Sequence, residues 1–415
     1  MTSIVSLVRH AGNRAPWQQN LMVLWIAQFI AMIGMSACIP FLPLFVRELG
    51  VSASDAPMWS GIITAAPFLM ASALTPLWGA LGDKYGQKTM VVRAILGLGV
   101  AMTLMGLSTN IWMLFALRIF QGAVSGFVAS NNAFVSAQTP TAKVGVALGT
   151  IQTSISAGNI VGPLVGGVVS DAVGFRPVFF LVGLLCAASL YVVVRFVHEE
   201  KHVQRGPAPR VLGNIRTAWQ MPQLRITLFM VLISQTAIVL PSPIFPYYLE
   251  ALGAPPALLS TLSGIIVSIV GVCTIISAPW WGARADKHGS TRTIIIAGSI
   301  MVFGMLLQSI VPSYHWLYPV RTMMGLAVGA IVPMLYGALT RYAPEGSKGG
   351  IMGLASSATL LGNLAGPIIC SAIASVMPLP WVFLASAGFM SAVVYLAMRN
   401  RKRVQHSLEN TIDKT

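Results

Sequence analysis

Laid over itself at a shift of 203 residues, the sequence repeats landmarks that apolar composition alone does not produce. Residues 76–88 read PLWGALGDKYGQK and residues 279–291 read PWWGARADKHGST, sharing Pro, Trp, Gly, Ala, Asp, Lys and Gly in register. IPFLPLFVRELG carries Pro40 and Pro43 where SPIFPYYLEALG carries Pro243 and Pro246, and LRIFQG carries Arg118 and Gly122 where VRTMMG carries Arg321 and Gly325. GNIVGP at 158–163 meets GNLAGP at 362–367 at a shift of 204, so one inserted residue separates four aligned landmarks. A chain of this kind folds as two parallel copies of one plan, as duplicated membrane transporters do.

What each copy contains follows from its hydropathy. The 415 residues are 55% hydrophobic and 9% charged, with a mean hydropathy of +0.76, far from the quarter of charged residues usual in soluble domains. Apolar stretches long enough to cross a hydrocarbon core of about 30 Å fall near 20–46, 59–80, 90–107, 111–134, 146–170, 177–197, 224–249, 258–281, 292–312, 316–337, 349–374 and 379–398. The predicted fold is all-α and integral to the membrane: twelve transmembrane helices in two pseudo-symmetric six-helix bundles, at 20–197 and 224–398. A polar N-terminal segment (1–19), too polar for a cleavable signal, a linker (198–223) and a polar, disordered tail (399–415) complete it. The linker contains a short basic amphipathic stretch around Ile215–Trp219, suited to the membrane surface.

The net charge of +15 raises nucleic acid as a partner, and its distribution removes it. With both termini cytoplasmic, 22 of the 26 Lys and Arg fall in cytoplasmic segments, Arg47 and Arg176 fall outside, and Arg118 and Arg321 fall within spans. That bias is the positive-inside pattern of a cytoplasmic-membrane protein facing anionic lipid. Cys38, Cys186, Cys273 and Cys370 all lie in apolar spans without paired spacing and serve as packing residues.

Several residues invite a functional reading beside a plain one. The loop with Gly79, Asp83, Gly86, Lys88 and then Arg93, echoed at Asp286, is either a set of solvated turns or a pair of switching contacts. In the second case a carboxylate meets a helix N-terminus or a basic residue and releases it when helices slide. Arg118, with Gln121 and Gly122, either faces the bundle interior or snorkels to the interface; Arg321 poses the same choice nearer the outer boundary. Gly158, Gly162 and Gly166 share a helix face beside Pro163 and Gly167, a pattern for a close-packed, bendable seam between the halves. Pro40 and Pro43 break the first span near its outer end, as Pro243 and Pro246 break the seventh.

Gln28, Asn131, Asn132, Gln152, Gln235, Tyr247 and Asn363 are polar or aromatic within spans, so each either lines a substrate cavity or bonds a neighbouring helix. All eleven acidic residues fall in loops, tails or span ends, leaving no midplane carboxylate. No phosphate-cradling Gly-Lys-Ser/Thr loop and no His/Cys cluster with metal spacing occurs, so neither ATP-driven transport by this chain alone, nor a metal site, nor a catalytic constellation is expected.

In this order the motifs resemble the major facilitator superfamily. GALGDKYGQK is similar to that family's loop motif G-x-L-x-D-R-x-G-R-K, keeping Gly79, Asp83, Gly86 and Lys88 but placing Lys84 and Gln87 where Arg is usual. LRIFQG resembles its fourth-helix motif, and GNIVGPLVGG the fifth-helix motif of drug:proton antiporters; IPFLP resembles the first-helix motif of the twelve-span members. The resemblance implies alternating access around a central cavity, with a small molecule exported in exchange for protons, no cofactor beyond the proton gradient, and a monomer in membrane lipid. It also implies that Asp83 holds one state closed and that Arg118 is linked to proton handling. A narrow transporter of a sugar, metabolite or lysolipid on the same fold stays open, and a non-transporting scaffold leaves the duplicated loops unexplained.

Overall fold

The computed structural model describes residues 15–199, 211–344 and 347–412. Among them twelve helices are long and apolar enough to cross a membrane, and no strand occurs. Span 1 is α1 (Pro16–Ala37) and α2 (Leu42–Glu48), span 2 is α3 (Ala56–Tyr85), span 3 is α4 (Gln87–Gly106), and span 4 is α5 (Ile111–Ala123) and α6 (Phe127–Gln138). Spans 5 and 6 are α7 (Val144–Val173) and α8 (Phe175–Phe196); α9 (Val211–Gln220) belongs to the linker. Span 7 is α10 (Pro222–Val239) and α11 (Phe245–Ala251), and spans 8 to 12 are α12 (Leu259–His288), α13 (Ser290–Ile310), α14 (Leu317–Tyr342), α15 (Lys348–Ala374) and α16 (Pro380–Ile412).

The breaks in spans 1 and 7 have a covalent cause. Proline removes a backbone donor and excludes the preceding turn, so α1 stops before Pro40 and α2 restarts with Pro43 in its first turn. Span 7 passes through a 3-10 turn, Ser242–Ile244, before Pro246 opens α11. Span 5, by contrast, runs unbroken through Pro163. Span 4 is broken where no proline stands: Gly126 adopts φ 107°, in the left-handed region, between α5 and α6. A second departure from expectation lies at the C-terminus, where α16 continues to Ile412, past the apolar run ending at Met398. An established helix extends at one hydrogen bond per added residue, so the polar run propagates what the apolar run nucleates.

The first six spans and the last six each enclose a core. Leu24, Phe41, Phe45, Ile95, Met102 and Phe179 are among the first, and Met301, Ala327, Ile331, Leu335 and Met390 among the second. The halves meet chiefly through spans 5 and 8 and spans 2 and 11.

Candidate transport cleft

Four helices decide the shape of the space between the halves. At the end far from the linker, spans 5 and 8 interlock backbone to backbone: a methyl added at Gly167 would overlap the Ser260 carbonyl, and one at Gly264 the Pro163 carbonyl. Ser268 Oγ donates to the Ile160 carbonyl at 2.6 Å. Spans 2 and 11 do the same, with a methyl at Gly61 overlapping the Pro367 carbonyl and Ser371 Oγ donating to the Met58 carbonyl.

Toward the linker end the same helix faces separate. On span 5 the stripe Pro163, Gly167 and Ser170 is buried, yet its continuation through Asn159, Gln152, Gly149 and Gly145 is exposed. On span 11, Pro367 and Ser371 are buried while Ser356, Gly353 and Gly349 are exposed, and on span 8 buried Ser268 and Gly264 give way to exposed Ile275 and Pro279. Cβ atoms added at Gly79, Gly145, Gly149, Gly282, Gly349 or Gly353 would touch nothing within 4 Å. A face exposed over only half its length borders a cleft, whereas span 5's other exposed side, with Val146, Leu164 and Val168, stays exposed at both ends and is mainly apolar, as a lipid-facing side is, with Thr150 and Thr153 its polar members. The cleft opens at the linker end and is walled by small and neutral polar residues. Gln152 lines it, and Asn159, hidden in sequence between the packing glycines 158 and 162, joins it.

The other cavity candidates pair with each other. Asn131 Nδ2 donates to Gln28 Oε1 at 2.8 Å, both residues being fully buried. Gln28 Nε2 and Asn131 Oδ1 remain unpartnered. In the second half Gln235 Nε2 donates to Asn363 Oδ1 at 2.8 Å. Asn132 is half-buried without a comparable bond to another span. Tyr247 serves the closed end: its hydroxyl donates to the Pro43 carbonyl, with Ser60 Oγ at 3.0 Å.

Besides the Tyr247 and Ser268 bonds, three polar links across the halves hold that closed end. Arg47 and Glu250, equivalent positions of the two repeats, pair at 2.6 Å, with the guanidinium also 4.4 Å from the Tyr247 ring. Asp171, at the end of span 5, accepts from the free backbone N–H groups of Ser260 and Thr261 at the start of span 8, at 3.3 and 2.7 Å. A carboxylate there also meets the positive end of that helix. The third is Ser371 to Met58.

Arg118 is 8% exposed and faces the bundle interior, where Nη1 donates to Gln121 Oε1 at 2.8 Å. Arg321 lies 4.3 Å from the Phe245 ring. Gly122 allows span 4 to touch span 2, since an added methyl would overlap the Pro67 carbonyl. The glycine stripe has a narrower role than its spacing suggests. Gly158, Gly162 and Gly166 pack on Met32, Ser36 and Ala37 of span 1, within their own half; of the motif, it is Pro163 and Gly167 that face the other half.

The duplicated loops are held differently. The side chain of Asp83 lies outside the described residues. The carboxylate that caps span 3 belongs to Glu199, just past span 6: Oε1 and Oε2 accept from the backbone N–H groups of Gln87 and Lys88 at 2.8 and 3.1 Å. Gly86, at φ 94°, has no Cβ to collide with that carboxylate. Lys88 Nζ donates to the Val194 carbonyl at 3.1 Å, and Asn20 exchanges two hydrogen bonds with the His198 backbone. In the second half Asp286 stands 3.9 Å from Arg341, both well exposed.

With this geometry established, comparison with known proteins places it. The family model "Major Facilitator Superfamily" matches residues 24–261 and again 227–414. The chain belongs to the major facilitator superfamily. It is 34% identical over 396 residues to the multidrug resistance protein MdtG of Escherichia coli strain 55989, an alignment covering 94% of this chain and 97% of that one. MdtG of strain K12 is 33% identical over the same span. Two solved structures share the fold. A bacterial homologue of the human lysosomal transporter Spinster, inward-facing and occupied, has a TM-score of 0.76 at 13% identity, covering 94% of this chain and 98% of that one. The nucleoside transporter NupG has 0.75 at 14%, covering 91% and 98%. A major facilitator chain is a multi-pass membrane transporter, not an enzyme.

Two contacts between distant segments had little signal in the sequence. Glu199 sits in a polar stretch that reads as linker, and Asp171 reads as a loop carboxylate; each acts on a helix start about 90 to 110 residues away. Only their positions at span ends hinted at capping.

Proposed function

We propose that this protein exports drug-like or amphipathic compounds in exchange for protons by alternating access across a bacterial inner membrane, as a monomer with both termini cytoplasmic. The observation that carries the reading is the one-sided cleft: helix faces that interlock at one end lie bare at the other, in a chain one-third identical to a multidrug resistance protein over nearly its whole length. With the linker inside, the open end faces the cytoplasm and receives compounds there. Release on the other side requires the Arg47–Glu250 and Asp171 links to break and the bare stripes of spans 2, 5, 8 and 11 to close. All acidic residues fall in loops, tails or span ends, so the carboxylates that opening would free are those of the closed end's links, Asp171 and Glu250. Asp83, on span 2 at the end that must close, serves as the latch of the opposite state.

Purified protein in liposomes containing a pH dye tests this. Proton movement evoked by several unrelated lipophilic compounds, and reduced in a folded Asp83→Asn variant, is the expected result. Tight proteoliposomes silent to every such compound yet exchanging a radiolabelled metabolite would retain the fold and overturn the multidrug reading.

A further inference from the structure

The unpredicted break in span 4 has a cause that the repeat itself isolates. Two side chains from neighbouring spans hold it. Trp78 Nε1 donates to the Ala123 carbonyl at 2.8 Å, and Arg93 Nη2 donates to the Ser125 carbonyl at 2.8 Å, with the guanidinium carbon 3.5 Å from the Trp78 ring centroid. Carbonyls freed by a helix break inside a membrane need such partners, because lipid offers none. The second half keeps nearly every component. Trp281 Nε1 donates to the Leu326 carbonyl at 2.6 Å, and Gly325 and Gly329 stand where Gly122 and Gly126 do. Yet α14 runs from Leu317 to Tyr342 without interruption. The position equivalent to Arg93 is Ile296, which has no donor for a freed carbonyl.

We infer that Arg93 is a positioning residue: by capping the break it sets the rotation of α6 relative to α5 and so places Asn131 against Gln28. In a continuous helix, Arg118 and Asn131, 13 residues apart, would point about 140° away from each other. The break resets that phase, so Arg118 meets the bundle interior and Asn131 meets the amide of Gln28 on span 1. Gly126 supplies the left-handed turn, and a Cβ there would meet Arg93 Nη2 at 3.5 Å, ordinary contact. Its requirement is therefore conformational; Gly329, which lets span 10 approach span 8, lies in an unbroken helix, so a glycine at this position does not by itself produce the break. The part played by the amide pair in transport rests on the proposed function; the origin of the break does not.

Spin labels at the exposed positions Thr109 and Ser136, either side of span 4, read the break in the absence of substrate or gradient. Native protein should give a separation shorter than the roughly 40 Å of a continuous 27-residue helix. Arg93→Ile, which installs the second half's residue, should lengthen it by more than the width of the native distribution. Arg93→Lys, which keeps the charge and one donor but cannot lie flat on Trp78, should show both distances. An unchanged distribution in folded Arg93→Ile overturns the inference. Should that variant not fold, a purely native distribution in Arg93→Lys overturns it, and a mixed one supports it. In transport, Arg93→Ile combined with Asn131→Ala should lose no more activity than the more impaired single variant. Additive losses would separate Arg93 from the pair even where the distances shift, and a native protein that moves no drug would leave the distance result standing alone.

Discussion

The two halves answer one sequence plan with different chemistry at the same places. Arg118 is hydrogen-bonded by Gln121 from its own helix, whereas Arg321 has Met324 there and leans on an aromatic ring instead. The first loop is clamped by Glu199; the second holds an exposed ion pair. Span 4 breaks and span 10 does not. Duplication preserved the scaffold of glycines and tryptophans and left the polar partners free to diverge, so the first half carries the more constrained polar network. Substitutions at equivalent positions should therefore cost more in the first half than in the second.

The largest difference is expected at the helix crossings. At Gly122 an added methyl would fall deep into backbone, on the Pro67 carbonyl; at Gly325 the neighbours, Cys273 Cβ at 2.8 Å and the Val270 Cα and carbonyl at 2.9 Å, are equally fixed but stand further off. Gly122→Ala should cost about 1–3 kcal/mol and lower the thermal unfolding midpoint in detergent more than Gly325→Ala does. Equal midpoints would show that span 2 yields as readily as span 8.

Next in size is Gln121→Met, which copies the second half's residue. It leaves a buried guanidinium short of one charge-assisted bond, a loss of about 1.5–3 kcal/mol. The reciprocal Met324→Gln should be neutral or slightly stabilising. Unfolding in denaturant, compared with the native chain, checks both; a stable Gln121→Met would mean that Arg118 does not depend on this bond.

How far these contrasts could be read in the sequence depends on the separation of the partners. Prolines at 40 and 43 act on their own helix, and the apolar runs report the twelve spans directly, so span positions and two of the three broken spans were legible. Gly126 looks like Gly329 in its own neighbourhood; what distinguishes them is an arginine on another helix, 32 residues before the Ser125 carbonyl that it holds. The amides 28, 131, 235 and 363 stand out as polar residues in apolar runs, but their pairing spans 103 and 128 residues and has no local trace. The glycine stripe was legible as close packing, and its partner was not: stride gives a face, and only topology says that the face meets span 1.

The smallest effects are at the loops, and there the contrast is one of kind. Glu199 accepts two backbone N–H groups at the start of span 3, so it works as a cap and as a charge facing the helix dipole at once. Glu199→Gln retains an acceptor but loses the charge, and should cost about 1 kcal/mol, seen as faster hydrogen exchange of the Gln87–Lys88 amides. Asp286→Asn removes one member of an exposed pair 3.9 Å apart, worth no more than about 0.5 kcal/mol and screened by salt. Its effect on stability should vanish at high ionic strength, whereas that of Glu199→Gln should persist because its partners are backbone groups fixed in place. If both variants respond to salt alike, the first half's clamp is no more than a surface ion pair in another guise, and the proposed difference between the loops is lost.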